Sequence, residues 1–300
     1  MRKAGLDWAI VSVIAAASLW GAIGLFTRAL GDSGLNPTQI TEVRCAITAA
    51  GMLIILSIFD RKLLRISIRD VWMFFGTGLL SIAMFSVLYF TAAELTTLSV
   101  AAVLLYTAPS FVVVMSAIAF RERITRNKAL ALAVAFAGCV LTSGILGGAA
   151  GFNAVGILAG IGSGFGYALY SIFGKFALKK YHPFTVTLYT FIVASLCLLP
   201  FSGASEIASA AASPSNLGIM AALGIVSTLV PYFLYTYGLN RMEAGKASVL
   251  AFVEPMVATL VGFAFFGEIP EISGFIGIAL ILASIILISS ESQGDRAIDN

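Results

Sequence analysis

The chain has 300 residues, of which 59% are hydrophobic and only 11% charged, with a mean hydropathy of +0.99 and a net charge of +3. Soluble proteins carry about 25% charged residues, and no polar stretch here is long enough to form a separate soluble domain, so the composition excludes a soluble protein and predicts an all-α integral membrane protein. The basic residues lie in short loops rather than on one face, which gives no sign of a nucleic-acid partner.

A helix that crosses a bilayer needs about 20 apolar residues. Ten such runs are predicted, over residues 8–30, 37–59, 71–93, 98–120, 127–145, 153–175, 184–201, 217–239, 246–266 and 271–289. The connections are short, and only 202–216 (SGASEIASAAASPSN) is sizeable; its small polar residues read as a surface connection. The start, MRKAGLDWAIVSVIAAAS, imitates a secretory signal, but the apolar run continues to about Leu30 and is read as a retained first span. Trp20, Gly24 and Arg28 share one face of that span.

Asn36, Pro37 and Gln39 predict the start of span two, as cap, first helical residue and capping-box partner. Arg44 then lies about 10 Å below the nearer face of the bilayer. Glu42 is two residues away and points elsewhere. Span six, GILAGIGSGFGYALYSIFGK, repeats glycine every four residues at Gly156, Gly160 and Gly164 and again at Gly162 and Gly166. Such spacing marks close helix contact. Its GSGFG lacks the Lys-Ser/Thr of a phosphate loop.

Span nine carries Glu254 and Pro255 inside ASVLAFVEPMVATLVGFAFF. An ionised acid at a helix centre costs about 2.5–3.5 kcal/mol, and intramembrane acids are functional by default. Ala247, Ala251, Glu254 and Ala258 fall on one helical face. Pro255 has no N–H, which frees a carbonyl one turn earlier and allows a kink. Glu254 is a candidate amine ligand or proton carrier; a protonated, purely structural Glu is the alternative. Its depth differs from that of Arg44 by about 8 Å in a 30 Å core, so an Arg44–Glu254 pair that gates the site or yields to substrate is possible.

Trp20, Tyr89, Tyr106, Tyr167, Tyr170, Tyr232 and Tyr235 lie within spans rather than at their ends. Buried hydroxyls and an indole N–H need partners, which a wet cavity supplies, and such a lining suits an aromatic or cationic substrate. Ordinary helix packing is the alternative for any one of them. Cys45, Cys139 and Cys197 fall in apolar runs and read as small apolar residues without a disulfide. His182 has no metal-ligand companions, and no Ser–His–acid, HExxH or paired-Cys motif is present, so neither a metal, a cofactor nor an enzymatic activity is expected.

Orientation follows from the basic residues. Arg2 and Lys3, Arg61 to Arg69, Arg121 to Lys128, Lys175 to Lys180, Arg241 and Lys246, and Arg296 all fall on one side, sixteen of the eighteen in the chain. Both termini are therefore expected in the cytoplasm. The chain also repeats itself. A shift of 146 residues superposes Pro37 on Pro183, Gly78 on Gly224, Ser81 on Ser227, Tyr89 on Tyr235, Pro109 on Pro255 and Glu122 on Glu268. Each copy, 1–145 and 146–300, holds five spans, and an odd number inverts the second copy. Inverted repeats offer two related packings, one open to each side, which is what alternating access requires. Glu254 has no twin, because Ala108 stands at the matching place.

SLWGAIGLFTRAL, ITEVRCAITAAGMLI and SVAAVLLYTAPSFVVVMSAIAFRERIT in the first half, and EAGKASVLAFVEPMVATLVGFAFFGEIPEISGFIGIALILAS in the second, resemble the EamA-type branch of the drug/metabolite transporter superfamily. The resemblance implies ten helices in two inverted five-helix repeats, a central cavity and carriage of amino acids, other metabolites, amines or drugs, frequently outward. Where the first repeat reads FRERIT the second reads FGEIPE, as expected if that end faces outside.

The resulting expectation is a secondary transporter at the cell membrane, monomeric or homodimeric, exporting small amphipathic metabolites through proton coupling or exchange. Glu254, Arg44, Trp20, Tyr89, Tyr106, Tyr167, Tyr170 and Tyr235 are its candidate substrate or coupling residues, and Pro109 and Pro255 its candidate hinges. Uptake of a cationic amine such as choline, a passive channel and a membrane-embedded enzyme are the alternatives.

Overall fold

The computed structural model describes residues 2–143, 145 and 153–298, with side chains for 8–143, 145 and 153–289. The apolar runs form helices α1 (Trp8–Asp32), α2 (Pro37–Phe59), α3 (Ile68–Leu95), α4 (Leu98–Phe120), α5 (Arg126–Thr142), α6 (Ala154–Leu178), α7 (Pro183–Phe201), α8 (Pro214–Leu239), α9 (Ala244–Phe266) and α10 (Ile272–Ser289). Among the described residues nine of these have at least 18 residues and a strongly apolar window. The other, α5, has 17, still within the range of about 17–25 that crosses a bilayer. Outward faces carry large apolar side chains such as Ile58, Ile118, Leu158 and Ile286, each at least 70% exposed. An apolar exterior on every side of a helical bundle is stable only in lipid, so the protein is multi-pass.

Helix starts follow local chemistry. Asn36 accepts from the Gln39 N–H at 3.0 Å while the Gln39 side chain accepts from the Asn36 N–H at 2.8 Å, the expected capping box, with Pro37 in the first turn. The side chains of Thr97, Thr125 and Asn153 cap α4, α5 and α6 by accepting the N–H groups of Val100, Lys128 and Gly156, without a return bond. The 202–216 segment is not wholly irregular as expected. Gly203, at φ 61°, starts a helix at Ala204–Ala211, because Ile207, Ala210 and Ala211 have an apolar cluster around Leu30 and Leu223 to pack against.

The 146-residue repeat reappears in the backbone. π-helical turns interrupt α3 at Gly76–Ala83 and α8 at Ile225–Leu229, at matching places. Helix α4 breaks between Leu105 and Ala108, and α9 between Leu250 and Val253, one turn before Pro109 and Pro255. The prolines cannot donate to carbonyls four residues back, and the chain closes each break with shorter bonds, Thr107 N–H to Leu104 O at 3.1 Å and Phe252 N–H to Val249 O at 3.1 Å.

Helix pairing has the same symmetry. α3 lies on α6 as α8 lies on α1, α4 lies on α6 as α9 lies on α1, and α2–α7 and α5–α10 are pairs of equivalent helices. The two inverted repeats therefore interlock across the whole bundle. Small residues set the distances. A Cβ on Gly138 would sit 2.8 Å from the Gly277 carbonyl, and one on Gly277 would sit 2.6 Å from the Gly138 carbonyl. The glycines of α6 form two rows as expected. Gly156, Gly160 and Gly164 meet the α3–α4 corner and α4, while Gly162 and Gly166 meet α3.

Candidate functional site

The breaks in α1, α4 and α9 converge near the middle of the bundle. α1 is interrupted at Ala22, between segments Arg2–Gly21 and Ile23–Asp32. Gly21 lies directly against α9, where an added Cβ would be 2.6 Å from the Glu254 carbonyl and 2.7 Å from the Val257 Cβ. Backbone is on the other side of that contact, so Gly21→Ala should shift α1, destabilise the protein by about 1–3 kcal/mol and lower its thermal midpoint. An unchanged midpoint would mean that α1 relaxes freely.

The break before Pro255 places Glu254 in the first turn of a new helical segment, Val253–Phe266. Free N–H dipoles there favour a carboxylate. The Tyr167 hydroxyl donates to Glu254 Oε2 at 3.4 Å. Around this carboxylate a cavity of about 800 Å³ is lined by Trp20, Gly24, Arg28, Arg44, Phe85, Tyr89, Tyr106, Tyr167, Tyr232 and Glu254, among others. It extends to Gly31 and Leu35, Ser143, and Glu268 to Glu271, in connections that share one end of the bundle. Trp20, Gly24 and Arg28 all line it, as their shared helical face predicts.

Arg44 is 9% exposed and lines the cavity. Among the described residues it makes no hydrogen bond and no carboxylate lies within the 4.0 Å of an ion pair, so the Arg44–Glu254 pair considered from the sequence is not formed. Glu42 is directed elsewhere, accepting from the Ser195 hydroxyl at 2.6 Å.

Two of the expected residues are not part of this lining. The Tyr170 hydroxyl pairs with Thr236 at 2.6 Å and Tyr235 with Ser171 at 2.8 Å, both buried. Together they form a packed floor between α6 and α8. Tyr235 borders a small recess beneath Glu254 that Pro109, Tyr106 and Ser171 also line. Helix position put these tyrosines inside the bundle but did not say which side of the floor they occupy. Trp20 spans the two levels, its ring 4.9 Å from Tyr232 and 5.3 Å from Tyr235.

Below the floor, the other end is shut by charges that composition alone did not single out. Glu122, just past α4, accepts the Ala244 N–H at 2.8 Å and the Gly245 N–H at 3.1 Å, at the start of α9. Lys175 of α6 lies 3.3 Å from the same carboxylate and also donates to the Met242 carbonyl. Burial pushes the Glu122 carboxyl up, but these N–H groups and the Lys175 ammonium outweigh it and hold it below its ordinary value. Lys128 bonds Glu243 at 2.6 Å beside them. At the open end Arg28 pairs with Glu268 at 2.6 Å, with half of each side chain exposed. The 146-residue offset pointed to Glu122 and Glu268; their partners come from the opposite repeat and only the fold reveals them. Among the described residues no cluster of His, Cys, Asp or Glu could hold a metal ion.

Residues 7–144 and 154–290 each match the EamA-like transporter family. The chain belongs to that family. It is 34% identical over 178 residues to an "uncharacterized transporter" of Archaeoglobus fulgidus, an alignment covering 59% of this chain and 63% of that one. It is 26% identical over 301 residues to a "probable terminal-alkyne amino-acid exporter" of Streptantibioticus cattleyicolor, covering 99% and 97% of the two chains. The match to the first of these, and to a Bacillus subtilis "uncharacterized transporter" at 29% identity, spans only 63% and 48% of the relatives' lengths. A solved crystal structure superposes with a TM-score of 0.80 at 22% identity, covering 95% of this chain and 97% of that one. The chain thus has a known fold, and the family matches it twice, once in each half.

Proposed function

We propose that this protein is a secondary transporter that exports small amphipathic metabolites, amino acids foremost, across the cell membrane by alternating access. One observation carries the reading: Glu254 and Arg44 line the same aromatic cavity without pairing with each other. Charges in apolar surroundings are stabilised by a partner of opposite sign. A molecule with both an ammonium and a carboxylate answers both, and its apolar part fits among Phe85, Tyr89, Tyr106 and Tyr167. The amino-acid exporter named among the relatives supports this class.

The bias of Lys and Arg to one side supports cytoplasmic termini, so the cavity described above opens outward. The halves 1–145 and 146–300 then exchange packings, with Pro109 and Pro255 at the hinges. A proton on Glu254, or exchange of one solute for another, supplies the energy.

The test is counterflow in proteoliposomes with phenylalanine and its decarboxylated analogue phenethylamine. Internal unlabelled phenylalanine should accelerate saturable uptake of labelled phenylalanine. Arg44→Gln should lose about 10–100-fold of phenylalanine transport, the worth of a hydrogen bond to a charged group, and keep phenethylamine. Transport of the amine alone by the unaltered protein would make it a cationic-amine carrier, and a flux that does not saturate would make it a channel.

A further inference from the structure

We infer that Glu268 and Arg28 form the latch that closes the open end of the cavity in the transporter's other state. In it Glu268 accepts the backbone N–H groups of Leu98 and Ser99 at the start of α4. The inference goes beyond the proposed substrate and rests on alternating access only for the exchange between states.

The closed end supplies the template. Arg121 ends α4 in the left-handed region at φ 58°, and the Glu122 N–H returns to the Ser116 carbonyl at 3.4 Å. Gly267 ends α9 in the same way at φ 67°, and the Glu268 N–H returns to the Gly262 carbonyl at 3.2 Å. Each residue of the second set lies 146 positions after its counterpart. The same turn therefore brings both carboxylates back beside the last turn of their helices, Glu122 at Ser116 and Glu268 at Gly262, the residue 146 positions later. Glu122 reaches the N–H groups of Ala244 and Gly245, whose counterparts are Leu98 and Ser99. It is joined there by Lys175 near the end of α6, while Glu268 is joined by Arg28 near the end of α1, the equivalent helix.

The two ends differ in docking, and the closed end has in addition the Lys128–Glu243 pair, whose positions are Gly274 and Thr97 at the open end. The first segment of α9 packs on the second segment of α4, with Gly245 against Val113. The equivalent surfaces, the first segment of α4 and the second of α9, face each other across the cavity. Leu98, Ser99 and Ala102 line it from one and Ala258, Thr259 and Gly262 from the other. Ser99 and Thr259 are the counterparts of Gly245 and Val113, and closure brings them together. Glu268 and Arg28 already form their pair at 2.6 Å, as Glu122 and Lys175 do at 3.3 Å, and Glu268 lacks only the helix terminus to receive it.

Disulfide trapping in the full chain, with Cys45, Cys139 and Cys197 replaced by Ala, tests this. The pair Gly245→Cys/Val113→Cys should oxidise readily and serves as the reference. Ser99→Cys/Thr259→Cys should oxidise as the cavity closes. Adding Glu268→Gln should slow that reaction by at least about tenfold, and adding Glu122→Gln, which loosens the opposite end, should speed it. Failure of the Ser99/Thr259 pair to oxidise while the reference pair does so, or equal rates with and without Glu268→Gln, overturns the latch. Counterflow separates it from the transport reading. Trapping as expected with no counterflow leaves the latch standing and removes the transport reading. Counterflow that continues after the Ser99/Thr259 pair is oxidised removes the latch alone.

Discussion

Glu254→Gln is expected to fold and insert normally and to lose about 10–100-fold of transport, the range lost with a hydrogen bond to a charged group. The glutamine keeps the shape of the side chain and a carbonyl acceptor for the Tyr167 hydroxyl, which donates to Oε2 at 3.4 Å. It also removes a charge whose insertion at a helix centre costs about 2.5–3.5 kcal/mol, so the thermal midpoint should hold or rise. What disappears is the negative partner for an ammonium group and the site for a proton. The remaining transport should no longer respond to a pH gradient. Counterflow and gradient-driven flux in proteoliposomes measure both effects, and an unaltered rate with unaltered pH response would remove Glu254 from the mechanism.

The second large effect is structural. Gly277→Val should abolish stable expression of the folded protein, because its Cβ would lie 2.6 Å from the Gly138 carbonyl and 2.9 Å from the Thr142 nitrogen. Overpacking against side chains costs about 1–3 kcal/mol because neighbours rotate away. Here the neighbours are the backbone of α5, and relief requires the whole helix to move from α10. Size-exclusion profile and thermal midpoint of the detergent-extracted protein read this directly. A monodisperse protein of ordinary midpoint would show that the α5–α10 contact is compliant.

The membrane fold was legible because its signals are local or periodic. Hydropathy located the helices, the Asn36–Gln39 capping box marked the start of α2, and the four-residue glycine rows of α6 each found a helix to pack on. The offset of 146 residues found both the matching prolines and the equivalent glutamates. The same offset holds for the π turns of α3 and α8, which no residue pattern had signalled. A π turn depends on how a helix packs against its neighbours.

The site was legible in kind and incomplete in detail. Glu254, Arg44, Trp20, Tyr89, Tyr106 and Tyr167 do line one cavity. Tyr170 and Tyr235 are as deep in the sequence pattern, yet they face Thr236 and Ser171 in the floor. A helical period gives a face, not the identity of the helix that meets it. The contact of Gly21 with the backbone at Glu254 was invisible for the same reason.

From residue order alone came the ten spans, the duplication, its inversion and the isolated acid of α9, since each depends on residue type and spacing along one chain. Tertiary structure alone decided that Arg44 and Glu254 stay apart, that Glu122 docks on the start of α9, and that one end is closed while its symmetric counterpart is open. Two equivalent repeats specify two equivalent ends, so a sequence describes both packings equally. Which end is shut depends on contacts between the repeats, and those exist only once the halves have come together.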